Sequence, residues 1–253
     1  MSTQKIDYMT SPQVAIVSGG SRGLGRAFTE ALLAAGWCVA IFARRTSEFT
    51  ESAPSNPAYA GRFMTRQLDV RNGPEVDAYV QEVIATWGKL NLLVNNAAIA
   101  GWAPLAIAED EFIDWHIDTN LGGVLRLTRS AAKQMMRQRW GRIINISSVV
   151  GIRGFGGLAA YSATKAAVDG LTRTLAMELG SSGVTVNAIA PGYINTEMTA
   201  QFPKETLEWN RTHSALLRLG TVEDFVPPFM FLASEGAGFI TGHTLVVDGG
   251  LVT

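Results

Sequence analysis

Cysteine and charge are both scarce in this sequence of 253 residues. The single cysteine, Cys38, cannot form an internal disulfide, and no cluster of cysteines and histidines has the spacing of a zinc site. Basic residues number 21 against 22 acidic ones, so the chain lacks the positive excess that nucleic-acid-binding proteins use to meet phosphates. These shortages argue against a disulfide scaffold, a metal site and a nucleic-acid partner.

Long hydrophobic runs are missing as well. The longest uncharged apolar stretch, residues 31–43, is too short to span a bilayer and is interrupted by Gly36. Residues 1–10 contain no apolar segment of the secretory type. We therefore expect a cytoplasmic protein with no membrane partner, in which residues 1–11 form a flexible extension of a single domain that spans residues 1–253.

Glycine is abundant by contrast, with 26 residues, many of them at turns between apolar runs. Short apolar runs alternate with helical patterns along the chain, which is typical of a parallel sheet covered on both faces. The predicted strands are 14–18, 38–43, 63–68, 92–94, 142–147, 184–189 and 244–247. The predicted helices are 23–35, 73–86, one or two helices within 109–139, then 160–179 and 222–233. The pattern predicts an α/β protein with a single-domain Rossmann fold, a doubly wound parallel sheet with helices on both faces.

Two stretches, 44–62 and 190–204, have little periodicity. They follow predicted strands, and in open α/β sheets the loops at the carboxyl ends of strands form the ligand crevice. We expect ligands to bind there.

A glycine-rich turn follows the first predicted strand. Gly19, Gly23 and Gly25 are spaced so that backbone N–H groups can approach a pyrophosphate where a helix begins close to the strand. A tight turn without any ligand explains the three glycines equally well, although the position between the first strand and the first helix favours a dinucleotide.

The end of the second predicted strand indicates which dinucleotide. NAD-dependent enzymes usually place an acidic residue there to bind the ribose 2′-hydroxyl, whereas this strand ends at Ala43 and is followed by Arg44 and Arg45. Together with Arg22 in the turn, these side chains suit a 2′-phosphate, so we predict NADPH/NADP⁺ rather than NADH. The alternative is that the arginines are merely solvated.

A tyrosine and a lysine lie four residues apart on a predicted helix. Tyr161 and Lys165 share a face of that helix, so the ammonium lies near the phenol. Ser148 ends the preceding strand, and a glycine-rich segment, 151–157, separates it from the helix.

These motifs, in this order, resemble those of the short-chain dehydrogenases/reductases, and most closely the 3-oxoacyl-[acyl-carrier-protein] reductase type. The resemblance extends over essentially the whole chain. It rests on the glycine turn, Asp69-Val70, Asn95-Asn96-Ala97-Ala98, Asn120, Ser148, the Tyr161/Lys165 pair, Pro191-Gly192 with Thr196, and Val247-Asp248-Gly249-Gly250. Two departures are Ser18 where the family usually has threonine and Ala98 where it usually has glycine.

The resemblance implies a role for each of these residues in carbonyl reduction. Tyr161 would donate the proton, Lys165 would lower the pKa of the phenol and hold the nicotinamide ribose, and Ser148 would bind the substrate oxygen. Asn120 would position a water that relays protons to Lys165. The expected cofactor-binding residues are Gly19, Ser21, Arg22, Gly23, Leu24, Gly25, Arg44, Asp69, Val70, Asn96, Ala97, Ala98, Tyr161, Lys165, Pro191, Gly192, Ile194 and Thr196.

Several aromatic residues and one arginine lie in or near the loops beside the crevice. We interpret Trp102, Phe155, Tyr193, Phe202 and Trp209 as candidate pocket lining, with ordinary packing as the alternative. Arg153 could meet an anionic substrate group, although it is also explained as a solvated arginine at the rim.

The sequence thus predicts an NADPH-dependent reductase of a ketone or 3-oxoacyl carbonyl. The family's carrier-docking arginines are matched by Arg139 at one position and replaced by Ser182 at the other, so a free small ketone remains an alternative to a carrier-bound acyl chain. An alcohol or sugar dehydrogenase and a non-catalytic dinucleotide-binding subunit also remain open. A helix with two apolar rows, 121–135, and the resemblance together predict a homotetramer.

Overall fold

The computed structural model describes residues 12–194 and 204–252. Seven parallel strands form one sheet in the order β3-β2-β1-β4-β5-β6-β7. They are β1 (Val14–Ser18), β2 (Cys38–Ala43), β3 (Phe63–Gln67), β4 (Leu92–Asn95), β5 (Gly141–Ile146), β6 (Val184–Pro191) and β7 (Thr244–Val247). The strand order reverses direction between β1 and β4, which confirms the predicted doubly wound fold and places its ligand crevice at the carboxyl ends of these two strands.

Eight helices accompany the sheet within the described residues. They are α1 (Gly23–Ala34), α2 (Glu48–Ser52), α3 (Gly73–Trp87), α4 (Asp110–Ile117), α5 (Gly123–Gln138), α6 (Ala159–Leu179), α7 (Lys204–His213) and α8 (Val226–Ala233). None of the described helices is long and apolar enough to cross a membrane.

Two apolar clusters bury the faces of the sheet. On one face α3, α5 and α6 pack with side chains such as Tyr79, Leu127 and Leu179. On the other face α1 and α8 meet through the rings of Phe28 and Phe229, which stack with centroids 4.1 Å apart. Strands covered on both faces carry continuous apolar sequences, which is why periodicity located them well.

Three segments differ from the sequence-based prediction. Residues 44–62 contain α2 and two short 3₁₀ turns, and residues 204–213 form α7, where no helix was predicted. The region 109–139 is helical throughout except that Asp118–Gly122 forms a π-helical turn between α4 and α5. That turn contains Asn120 and divides the region into two helices, one of the two outcomes that the sequence left open. Turns of this kind are frequent at functional sites.

Candidate active site

The glycine-rich turn joins β1 to α1 with very little space between them. Gly19 and Gly23 have φ angles of +66° and +53°, in the left-handed region that favours glycine. A Cβ atom on Gly25 would collide with the carbonyl oxygen of Gly19. The beginning of α1 therefore lies directly against the turn, which is the arrangement that presents backbone N–H groups to a phosphate.

Hydrogen bonds from a serine and an asparagine fix this turn to the end of β4. The Ser18 hydroxyl donates to the Val94 carbonyl (3.1 Å) and accepts from the N–H groups of Asn96 and Ala97, both at 3.0 Å. The Asn96 amide donates to the carbonyls of Ser18 (2.9 Å) and Gly19 (3.1 Å). The side chain of Asn96 thus supports the turn. This structural contact was not part of the prediction, which gave Asn96 only as a cofactor-binding residue. The Ser18 hydroxyl performs a structural role that a threonine hydroxyl could equally fill.

A cavity of about 370 Å³ opens beside the ends of β2 and β3. It is lined by Arg44, Gln67, Leu68, Asp69 and Glu75. The Asp69 carboxylate pairs with the Arg71 guanidinium (2.8 Å). Although partial burial acts in the opposite direction, hydrogen bonds from Arg71 and the charges of Arg71 and Arg44 hold the pKa of Asp69 below its usual value. The structure therefore brings Arg44 and Asp69 together as predicted, next to the glycine turn.

The remaining residues predicted to bind the cofactor lie close to these two features. Ser21 is buried and its carbonyl accepts from the Ser47 hydroxyl (3.1 Å), while Arg22 is exposed at the start of α1. Leu24 packs against the core beside α1, and Val70 is buried where Gly123 of α5 leaves room for it. Ala97 and Ala98 follow β4 directly.

The tyrosine and the serine predicted to be catalytic lie near the carboxyl end of β5. Ser148 begins a short 3₁₀ turn there, and its hydroxyl accepts from the N–H of Val150 (3.4 Å). Tyr161 lies in the first turn of α6, and the Ser148 side chain is close enough to influence its pKa. Burial raises the pKa of Tyr161 to about 12, and the Ser148 hydroxyl acts in the opposite direction. The phenol is therefore protonated at neutral pH and is a proton donor in the absence of any ligand.

The lysine lies one helical turn beyond the tyrosine and is almost fully buried. The Lys165 Nζ donates to the Ile146 carbonyl (2.7 Å) and lies 5.6 Å from the centroid of the Tyr161 ring. Burial lowers the pKa of Lys165 to about 8, whereas the nearby charge of Asp169 acts to raise it. The predicted pairing of Tyr161 and Lys165 on one face of α6 is present in the structure.

Sequence reasoning missed Asp169 as part of this group. Asp169 accepts a hydrogen bond from the Thr244 hydroxyl (3.1 Å), and the Ser147 hydroxyl nearby donates to the Lys165 carbonyl (3.3 Å). Burial raises the pKa of its carboxyl group, which the neighbouring hydrogen bonds and cations oppose. Its position four residues after Lys165 on the same helix was the available signal.

Asn120 lies in the π-helical turn and binds the loop after β4. Its amide donates to the Ile99 carbonyl (2.9 Å) and its oxygen accepts from the Ile99 N–H (2.8 Å). The amide also contacts the Thr164 hydroxyl (3.2 Å), which itself donates to the Tyr161 carbonyl (2.7 Å). Asn120 therefore links the β4 loop to the helix that carries the tyrosine and the lysine.

The segment after β6 forms the other wall of the crevice. Pro191 ends β6, and the N–H of Gly192 donates to the Val247 carbonyl (2.9 Å). A Cβ atom on Gly192 would lie 2.7 Å from the Cβ of Asp248, so only glycine fits. Ile194 is buried and pairs with Gly220 in an isolated bridge. Thr196 and Phe202 lie outside the described residues.

The predicted pocket residues fall into two groups. Phe155 and Tyr193 meet edge to face at 6.0 Å, and the Arg153 guanidinium lies 6.0 Å from the Phe155 ring and 5.6 Å from the Trp209 ring. Arg153 also donates to the Leu251 carbonyl (3.3 Å). Trp102 is separate, because it is 65% exposed and packs over Gly157.

No group of three or more potential metal ligands occurs among residues 12–194 and 204–252.

A glycine-rich turn between the first strand and the first helix, together with Ser148, Tyr161 and Lys165 at the carboxyl edge of a doubly wound sheet, defines a dinucleotide-dependent oxidoreductase. A family model described as "Enoyl-(Acyl carrier protein) reductase" matches residues 19–252. With the relatives reported below, this match shows that the chain belongs to the short-chain dehydrogenase/reductase family.

Curated relatives and a solved structure agree with this assignment. A 3-oxoacyl-[acyl-carrier-protein] reductase of Staphylococcus aureus is 41% identical over 96% of this chain and 99% of its own length. The enzyme of the same name from Escherichia coli is 38% identical, covering 94% of this chain and 97% of its own. The structure described as "ElxO with NADP Bound" superposes with a TM-score of 0.88 at 31% identity, covering 96% of this chain and 99% of that one.

Proposed function

We propose that this protein is an NADPH-dependent reductase that converts a 3-oxoacyl thioester or a related ketone to a secondary alcohol. The observation that carries the proposal is the placement of Lys165 Nζ 5.6 Å from the ring centroid of the protonated Tyr161, with Ser148 at the end of the strand that precedes this helix. The named activity of the S. aureus and E. coli relatives supports the same reaction.

The residues around the crevice fit a bound dinucleotide. The turn at Gly19–Gly25 has the backbone freedom and close packing that a pyrophosphate requires, and the cavity beside Arg44 and Asp69 accommodates an adenosine end. When bound, the reduced nicotinamide supplies the hydride. The 2′-phosphate would lie near Arg44, because Ala43 offers no carboxylate to bind a free 2′-hydroxyl.

In this mechanism the protein's residues orient the carbonyl and supply the proton. Ser148 and Tyr161 both donate hydrogen bonds to the carbonyl oxygen of the substrate, so negative charge that develops on this oxygen is stabilised. Tyr161 then transfers its phenolic proton to the nascent alkoxide. Lys165, held by Ile146, lies close enough to stabilise the phenolate that remains, and we propose that Asn120 orients a water from which the tyrosine is reprotonated.

The form of the substrate depends on two surface positions. Arg139 matches one of the arginines with which the carrier protein is bound in the resembled family, and its guanidinium already donates to the Ser181 carbonyl (3.0 Å). Ser182 occupies the second arginine position. The neutral serine favours a free small ketone as the second candidate substrate.

We further propose a cytoplasmic homotetramer. On α5 the row formed by Val124, Leu127 and Met135 is buried, so that row covers the sheet. In the other row Thr128 and Ala132 are buried but Leu125 is 47% exposed, and Met136, near the end of the helix, is 44% exposed. An apolar surface of this kind suits a symmetric contact between copies of the chain.

The test is NADPH consumption with a panel of ketones and 3-oxoacyl thioesters, for the parent protein and for Tyr161→Phe. The variant keeps the ring but cannot donate a proton, so we expect turnover to fall at least about 10²-fold while NADPH still binds. Ser162→Ala, beside Tyr161 on α6, is the control and should retain turnover. Near-normal turnover of Tyr161→Phe would refute the mechanism, and binding of NADPH without turnover of any substrate would favour the non-catalytic subunit.

A further inference from the structure

Arg44 contacts a tryptophan that comes from the other half of the sheet. The guanidinium carbon of Arg44, just after β2, lies 5.4 Å from the centroid of the Trp115 ring in α4. This distance is within the range at which an arginine and an aromatic face attract each other. The contact joins residues 71 positions apart in sequence and bridges the loop after β2 and the helix that precedes Asn120.

The backbone of Arg44 is fixed, whereas its side chain needs support. The Gln67 amide donates to the Arg44 carbonyl (3.0 Å), which anchors the main chain at the edge of the cavity. The side chain of Arg44 is exposed, and an exposed arginine has many rotamers to lose when it binds a ligand. The Trp115 ring is the group that the structure places against this guanidinium.

Stacking is a suitable restraint for a phosphate-binding arginine. An aromatic ring contacts the flat face of a guanidinium, and the N–H donors point outward in the plane of the group. An arginine in contact with a tryptophan ring therefore keeps its N–H donors available for a phosphate, whereas an arginine paired with a carboxylate already has some of them engaged in hydrogen bonds.

We propose that Trp115 is a positioning residue for cofactor discrimination, which holds Arg44 at the mouth of the cavity so that its donors meet the 2′-phosphate. This inference rests on the proposed preference for NADPH. Trp115 acts through Arg44, lowers the entropy that Arg44 loses on binding, and contributes nothing to NADH, which has a hydroxyl in place of the phosphate.

The experiment measures kcat/KM for NADPH and for NADH with one 3-oxoacyl thioester and reports the ratio. Any loss of active protein cancels in that ratio. We expect Trp115→Leu to lower the ratio about two- to fivefold, the usual effect of one exposed contact of this type, through KM for NADPH rather than kcat. Trp115→Phe keeps an aromatic face and should restore most of the preference.

Two further arms separate positioning from a structural effect. In an Arg44→Leu background, Trp115→Leu should leave the ratio unchanged, because there is no guanidinium to hold. Trp140→Leu is the matched control, since it removes an indole that lies 4.6 Å from the Arg142 guanidinium. Arg142 is at the amino-terminal end of β5, whereas Arg44 follows the carboxyl end of β2. Trp140→Leu should not alter the ratio.

The inference is overturned if Trp115→Leu leaves the ratio unchanged, raises it, or changes it equally in both Arg44 backgrounds. A raised ratio would mean that Trp115 holds Arg44 away from the phosphate. A parent protein that favours NADH would overturn the proposed cofactor preference itself, whereas a parent that favours NADPH with an unchanged Trp115→Leu ratio overturns only the role of Trp115.

Discussion

The buried lysine of the active site should destabilise the fold that it serves. Lys165 is 3% exposed, and burial lowers its pKa from 10.5 to about 8. At about 1.4 kcal/mol per pKa unit, keeping this ammonium charged in the folded protein costs about 3 kcal/mol at neutral pH. Replacing Lys165 with Met keeps a side chain of similar length and removes its charge. The variant should therefore be inactive and more stable than the parent at pH 7.

The sign of the pH dependence follows from the lowered pKa. Below about pH 8 the lysine is protonated in both the folded and the unfolded chain, and the full cost applies. Between about pH 8 and pH 10.5 the unfolded chain binds more protons, so the stability of the parent rises with pH. The stability advantage of Lys165→Met should therefore be largest below pH 8 and shrink by about 3 kcal/mol toward pH 10.5.

Urea unfolding of the parent and the variant at several pH values between 6 and 10.5 measures this difference. Other titrating groups are common to both proteins and cancel. Lys133→Met is the control, because Lys133 is exposed on α5 and its ammonium remains in water, so that difference should not vary in the same way. A Lys165→Met advantage that is independent of pH, or that grows above pH 8, would refute the reasoning.

Two other substitutions test the cofactor end of the crevice. Gly25→Ala should destabilise the protein by about 1–3 kcal/mol and raise KM for NADPH, because the added methyl collides with Gly19. Gly170→Ala, at an open position within α6, is the control and should have neither effect. Equal urea unfolding midpoints for the two variants would contradict the prediction. Ala43→Asp combined with Arg44→Leu should reverse the preference between NADPH and NADH, because the new carboxylate repels the 2′-phosphate and accepts from a ribose hydroxyl. An unchanged ratio of kcat/KM for NADPH to kcat/KM for NADH would show that the end of β2 does not discriminate between the 2′-phosphate and the 2′-hydroxyl.

The sheet could be predicted well because its five inner strands are buried on both faces. The bounds of β1, β2 and β7 agree with the sequence-based ones, since each is a continuous apolar run between turn residues. The candidate catalytic residues were located by the spacing of Tyr161 and Lys165 on one helix and by the position of Ser148 at one strand end, and their proposed roles come from the family resemblance. These are local patterns, which a sequence records directly.

The missed features depend on contacts between distant segments. Residues 204–213 form α7 although Leu207 and Trp209 are their only large apolar residues, too few for a helical pattern to be recognised. The π-helical turn at Asn120 leaves the apolar pattern of α4 and α5 almost intact. The periodicity therefore left open whether this region is one helix or two, and it could not predict the geometry of the turn. The contact between Arg44 and Trp115 has no sequence signature, because it joins two residues that lie 71 positions apart in separate elements.

The arginine in the substrate region is already occupied by the protein itself. Arg153 lies between the rings of Phe155 and Trp209 and donates to the Leu251 carbonyl. An anionic substrate group would have to compete with these contacts, so the arrangement favours a structural role in which Arg153 ties the loop after β5 to α7 and to the carboxyl-terminal segment. Among the described residues of this region, the groups left to recognise a substrate are then rings such as Phe155 and Tyr193, together with the hydroxyl groups of Ser148 and Tyr161. That combination suits an uncharged acyl chain whose carbonyl is the one polar group to be bound, which agrees with a 3-oxoacyl thioester better than with a sugar.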